Sequence, residues 1–118
     1  MNDSPSFEPT IEVRSPQPNA SLVILGGEHD LASADLLRQT LEDSLAGSDH
    51  LIVDLSGAAF IDSTIVGVLV QTMRRTEELD RKFTLVLGTS PEVERILDVT
   101  GLLELMTVVP TLKLALAA

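Results

Sequence analysis

Polar and apolar residues alternate through Thr10-Ile-Glu-Val-Arg14, the period of a half-buried edge strand. Ser15-Pro-Gln-Pro-Asn19 predicts a turn, because two prolines withhold the donors a ladder needs. Ser21 to Gly26 is a more apolar strand that pairs with the first as a hairpin, and Gly26-Gly-Glu-His-Asp30 then predicts its end. Leu37, Leu41 and Leu45 recur every four residues, the buried stripe of a helix running to Ala46. Ser33 is placed to cap it, Asp35 to complement its dipole and Gly47 to stop it. His50 to Leu55 is a near-continuous apolar strand, as expected at the centre of a sheet. A short polar turn follows, and the buried pattern resumes at Phe60 and Ile61.

Ile65-Val-Gly-Val-Leu-Val70 reads as strand by β-propensity. Its continuation decides otherwise. Ile65, Val68 or Leu69, Thr72 or Met73, Thr76 and Leu79 keep a 3.6-residue period, which predicts a helix from Ser63 to Leu79. Phe83 to Gly88 predicts another strand. Ser90-Pro91-Glu92 opens a helix that Gly101 terminates, with Val93, Ile96 and Leu97 inward. Leu105 to Val109 predicts a last strand, and Pro110-Thr111 opens a C-terminal helix. The order ββαβαβαβα predicts an α/β domain of about five strands and about four helices. Its sheet is open and mostly parallel, with the first strand added antiparallel at one edge.

With 118 residues, 44% of them hydrophobic, the chain can bury one core. Residues 1–9, with Pro5 and Pro9, predict a disordered tail ahead of a single domain over 10–118. No cysteine is present, which excludes disulfides and thiol chemistry. No secretory signal is visible and no apolar run spans a bilayer, so a cytoplasmic protein without membrane insertion is expected. A net charge of −10 argues against direct nucleic-acid binding and suits a partner with a basic face. It also serves simple solubility. Without Tyr or Trp to anchor an interface, a monomer is favoured.

The candidate chemistry lies at Asp62-Ser63-Thr64, where a strand gives way to a helix. A hydroxyl at a helix start stands among N–H groups that lack intrahelical partners, and a phosphoryl group can be held there. Read alone, Ser63 is a capping serine before it is a switch. Asp62 is a helix cap, accepting from Thr64 or Ile65 N–H, before it is a base. Thr64 either serves as an alternative phosphate acceptor or satisfies the first turn. Glu28 and Asp30, near the same sheet end, either contact a partner or serve turn chemistry.

Asp54-Leu55-Ser56, Phe60-Ile61-Asp62-Ser63-Thr64 and Gly67-Val68-Leu69 resemble the signature of the STAS domain. More narrowly they resemble anti-anti-sigma factors (anti-sigma factor antagonists), bacterial regulators of transcription that sequester an anti-sigma factor. Gly27-Glu28-His29-Asp30 is similar to the family's Gly-Glu-x-Asp turn. Ser90-Pro91-Glu92-Val93 and Thr100-Gly101-Leu102 are similar to the start and end of its third helix. The resemblance covers about residues 10–116. It implies a partner-switching phosphoprotein with no cofactor. Ser63 would be phosphorylated by a partner that is both anti-sigma factor and serine kinase, the phosphorylated form released, and a phosphatase would restore it. It places Glu28, Asp30, Asp62, Ser63, Thr64 and Ile65 at the partner surface. The chain departs from the pattern at Ile65, where the family has Gly, and a β-branched side chain there is expected to narrow the approach to Ser63.

Catalysis is not expected. No Gly-x-Ser-x-Gly elbow or glycine-rich phosphate loop occurs, and His29 and His50, the only histidines, lack metal-ligand spacing. His50 reads as a satisfied residue at a strand start. A receiver-type phospho-aspartate domain would need an acidic pair and a strand-ending lysine that are missing. The rival reading is a STAS subunit of another assembly, a lipid-transport accessory or stress-signalling complex, without phospho-switching.

Overall fold

The computed structural model describes residues 7–117. Five strands, β1 (Thr10–Gln17), β2 (Ala20–His29), β3 (His50–Ile61), β4 (Lys82–Val86) and β5 (Val108–Val109), form one sheet in sequence order. β1 and β2 are antiparallel, and every other pairing is parallel. The helices are α1 (Leu31–Ala46), α2 (Ser63–Glu78), α3 (Pro91–Val99), the single turn α4 (Leu102–Leu105) and α5 (Leu112–Ala117). The expected α/β order holds, with α4 as an addition.

The period of two along β2 and β3 divides the core between two faces. Val23, Leu25, Leu51, Val53 and Leu55 pack under Leu37, Leu41 and Leu45 of α1, Ile65, Val68 and Leu69 of α2, and Val93 and Leu97 of α3. The alternate residues Leu22, Ile52 and Val86 face Ala115 of α5. The main core thus lies on one side of the sheet.

Several expected boundaries move. The expected tail lies outside the described residues except for 7–9, of which Phe7 accepts from the Glu28 amide at 2.8 Å. β1 does not end at Arg14. It continues through Pro16 with a register shift between Arg14 and Gln17, and the reversal falls at Asn19, whose φ is 66°. An edge strand tolerates this proline because one side of it needs no ladder donor. β2 and β3 also outrun their expected ends. Gly26 pairs with Gly57 and Gly27 with Ala58, so two stretches that read as turns are partners across a bulged ladder. Gly27 sits at φ 75°, and a Cβ there would overlap the Glu8 carbonyl.

The cap of α1 is Asp30 rather than Ser33, and Asp35 lies beyond the first turn, paired with Arg38. Ser33 is buried because its hydroxyl meets His29 Nδ1 at 3.0 Å. Leu79 is not inward; it is the C-cap of α2 and 38% exposed. The last strand is shorter than Leu105 to Val109. Gly101, at φ 82°, reverses the chain and leads into α4, with Met106 N–H donating to Leu102 O at 3.0 Å. His50 does find a partner, Thr84 Oγ1, at 2.8 Å.

Candidate functional site

The site stands where β2 and β3 end side by side. His29 pairs with Ile61 across the parallel ladder, and Asp62 N–H donates to His29 O at 3.2 Å. The next residue of each chain segment is therefore a helix cap. Asp30 Oδ1 accepts from Ala32 N–H at 2.9 Å, and Asp62 Oδ1 from Ile65 N–H at 3.1 Å. Two helix N-termini, each ringed by first-turn amides, meet at one edge of the sheet.

Ser63 is the first residue of α2 and is exposed. Its hydroxyl is not the cap, because Asp62 holds that role. Thr64 is half-buried, whereas Glu28 and Asp30 are exposed. The ion pairs of the described residues, Arg14 with Glu12, Arg38 with Asp35, and Arg75 with Glu42 and Glu78, involve none of Glu28, Asp30 and Asp62. The edge around Ser63 is thus acidic, its Asp30 and Asp62 carboxylates held by helix N-terminal amides and, among the described residues, by no cationic side chain.

Beneath it, His29 is fully buried and braces the edge. Its Nε2 faces the carbonyls of Thr10, at 3.1 Å, and Gly26, at 2.9 Å, so that nitrogen carries the proton. In the neutral ring Nδ1 then accepts from Ser33 Oγ. One imidazole ties β1, β2 and α1 together directly under Asp30.

Two expectations change here. The Ile65 side chain is fully buried in the core, so it cannot narrow the approach to Ser63 or meet a partner. Phe60, expected inside with Ile61, is 43% exposed. Ile61 is buried, and the two-residue period then sends Phe60 outward; that alternation was the available signal. Gly67, one turn after Ser63, is exposed, and a Cβ there would meet nothing within 4 Å.

Comparison with known proteins decides the family. The STAS domain model matches residues 11–115. An anti-sigma-B factor antagonist of Staphylococcus epidermidis is 32% identical over 87 residues, covering 73% of this chain and 80% of that one. The chain is a STAS domain of the anti-sigma factor antagonist family. An anti-sigma factor antagonist from Mycobacterium paratuberculosis superposes with a TM-score of 0.86 at 28% identity, over 97% of this chain and 96% of that one. The unphosphorylated form of SpoIIAA, another anti-sigma factor antagonist, shares the fold with a TM-score of 0.75 at 20% identity, over 91% and 93% of the two chains.

Members of this STAS family are regulators rather than enzymes, which fits a site built of caps, a hydroxyl and acids. Among the described residues no group of three His, Cys, Asp or Glu side chains is placed to hold a metal ion. No helix among them is long and apolar enough to cross a membrane.

Proposed function

We propose that this STAS domain, spanning residues 10–118, is a cytoplasmic antagonist that binds an anti-sigma factor with serine-kinase activity and so frees a sigma factor. Phosphorylation of Ser63 ends the interaction. The kinase moves the γ-phosphoryl group of ATP to Ser63 Oγ, the hydroxyl proton is lost, and ADP leaves; a phosphatase hydrolyses the ester and resets the protein. The observation that carries this reading is the exposed Ser63 hydroxyl at the head of α2, left free because Asp62 already caps the helix.

Charge supports the direction of the switch. A phosphate adds about −1.5 to −2 charges beside Asp62, Asp30 and Glu28, acids with no ion-pair partner among the described residues. A kinase that has just used ATP presents nucleotide phosphates to the same point, so anion meets anion inside a desolvated contact. Such an unpaired charge costs about 2–5 kcal/mol. At about 1.4 kcal/mol per decade, affinity falls roughly thirty-fold to a few thousand-fold, with no refolding.

The experiment is incubation with the anti-sigma kinase and ATP, with phosphate located by mass spectrometry. Modification at Ser63 in the wild type, and none in Ser63→Ala, is expected. Modification at Thr64 instead would move the acceptor by one residue. An unmodified chain, together with Ser63→Ala matching wild type in sigma release, would remove the switch.

A further inference from the structure

The same sheet edge carries an apolar groove. Phe60 at the end of β3 and Glu92, Arg95, Ile96 and Val99 on α3 line a space of about 370 Å³. Phe60 is 43% exposed and Val99 77% exposed, so apolar surface stands in water. Spacings of four and three residues put Glu92, Ile96 and Val99 on one face of α3. Ser63 lies three residues beyond Phe60, which makes the groove an extension of the Ser63 edge.

The surrounding charge selects the occupant. Glu28 is the ladder partner of Phe60, Asp62 follows two residues later, and Glu92 lines the groove itself. None of the three joins an ion pair among the described residues. Arg95 is the one cation among the lining residues. An apolar floor within an acidic border, on a chain of net charge −10, repels anionic segments and attracts a ridge of apolar side chains flanked by Lys or Arg.

We propose that this groove docks a cationic amphipathic segment of the anti-sigma partner, one of whose apolar side chains seats against Phe60, Ile96 and Val99. The partner's identity rests on the function proposed above, but the groove uses residues distinct from the phosphate acceptor. Docking there holds the partner while its nucleotide site reaches Ser63. Arg95 then opposes the incoming segment, a feature that gives the idea a sign to test.

The test has two arms. In the first, isotope-labelled protein is titrated with a synthetic Leu/Lys amphipathic helical peptide and with its Leu/Glu counterpart, and amide shifts are followed by NMR. The Leu/Lys peptide should shift Phe60 and residues 92–99, and the Leu/Glu peptide should not. In the second arm, calorimetry compares binding of the anti-sigma kinase to wild type, Val99→Gln and Arg95→Glu, with circular dichroism to verify folding. Removing the apolar anchor should weaken binding about tenfold, a typical loss for a central contact. Reversing Arg95 should tighten it at low salt and lose that gain at high salt. Equal binding of the two peptides, shifts confined to other surfaces, or unchanged kinase affinity in both variants overturns the groove. If Ser63 is still phosphorylated in that case, the switch stands without it. Peptide capture by the groove with no modification of Ser63 removes the switch and leaves the groove.

Discussion

Gly67 is an expense that the fold does not explain. A glycine inside a helix costs about 1 kcal/mol relative to alanine, yet a Cβ at this position would meet nothing within 4 Å. No close packing around it calls for so small a residue. Gly67→Ala should therefore stabilise the domain by about 0.5–1 kcal/mol, read from a denaturant midpoint. Because Gly67 lies one turn from Ser63 on the same exposed face, the substitution should also weaken anti-sigma binding if the partner's backbone approaches there. An alanine variant that is no more stable would point to a constraint on the helix itself. Ser63→Asp tests the neighbouring position: stability should stay within about 1 kcal/mol, since an acid at a helix N-terminus is tolerated, while partner affinity drops. His50 makes a third case. Burial, then the nearby Lys82, lowers its pKa below the usual 6.5. Above that value the ring is neutral in both states. As pH falls below it, the unfolded chain takes up the proton first, and stability is lost until the folded ring titrates. The melting temperature should fall less between pH 7.5 and 5.5 in His50→Gln than in wild type.

The aspartate cap of α1 shows how an element can be right and its start wrong. The leucine stripe of α1 was plain in the sequence, and Leu37, Leu41 and Leu45 are all buried. Its cap was not, because Ser33 and Asp30 are equally good capping residues by type. What separates them is His29, which draws the Ser33 hydroxyl inward and leaves Asp30 at the end of β2. For α2 the choice was clearer, and Asp62 bonds Ile65 N–H as its position suggested. Asp62→Ala should cost about 1 kcal/mol of stability through this lost bond, seen as a lower chemical-denaturation midpoint. A loss much above 2 kcal/mol would mean that Asp62 holds more than its helix. The strands fared less well, since the glycine runs at 26–27 and 57 read as turns until they were set opposite each other.

Taken together, the fold brings the ends of two parallel strands, two helix N-termini and one face of α3 to a single edge. Hydrophobic period was enough to establish the element types and their order, because burial repeats every 3.6 residues in a helix and every two in a strand wherever one face meets a core. The motif around Ser63 was legible for the same local reason: a cap, a hydroxyl and a helix start are neighbours in the chain. Register, strand ends and exposure depend on partners far away in sequence, and only tertiary structure decides them. The pairing of Gly26 with Gly57 carried β2 and β3 past their expected stops. Core space took Ile65 inward, along the apolar stripe of α2 and away from the partner surface where the resemblance had put it. Packing of α3 beside β3 turned Phe60, expected inside with Ile61, into the wall of a groove next to Ser63.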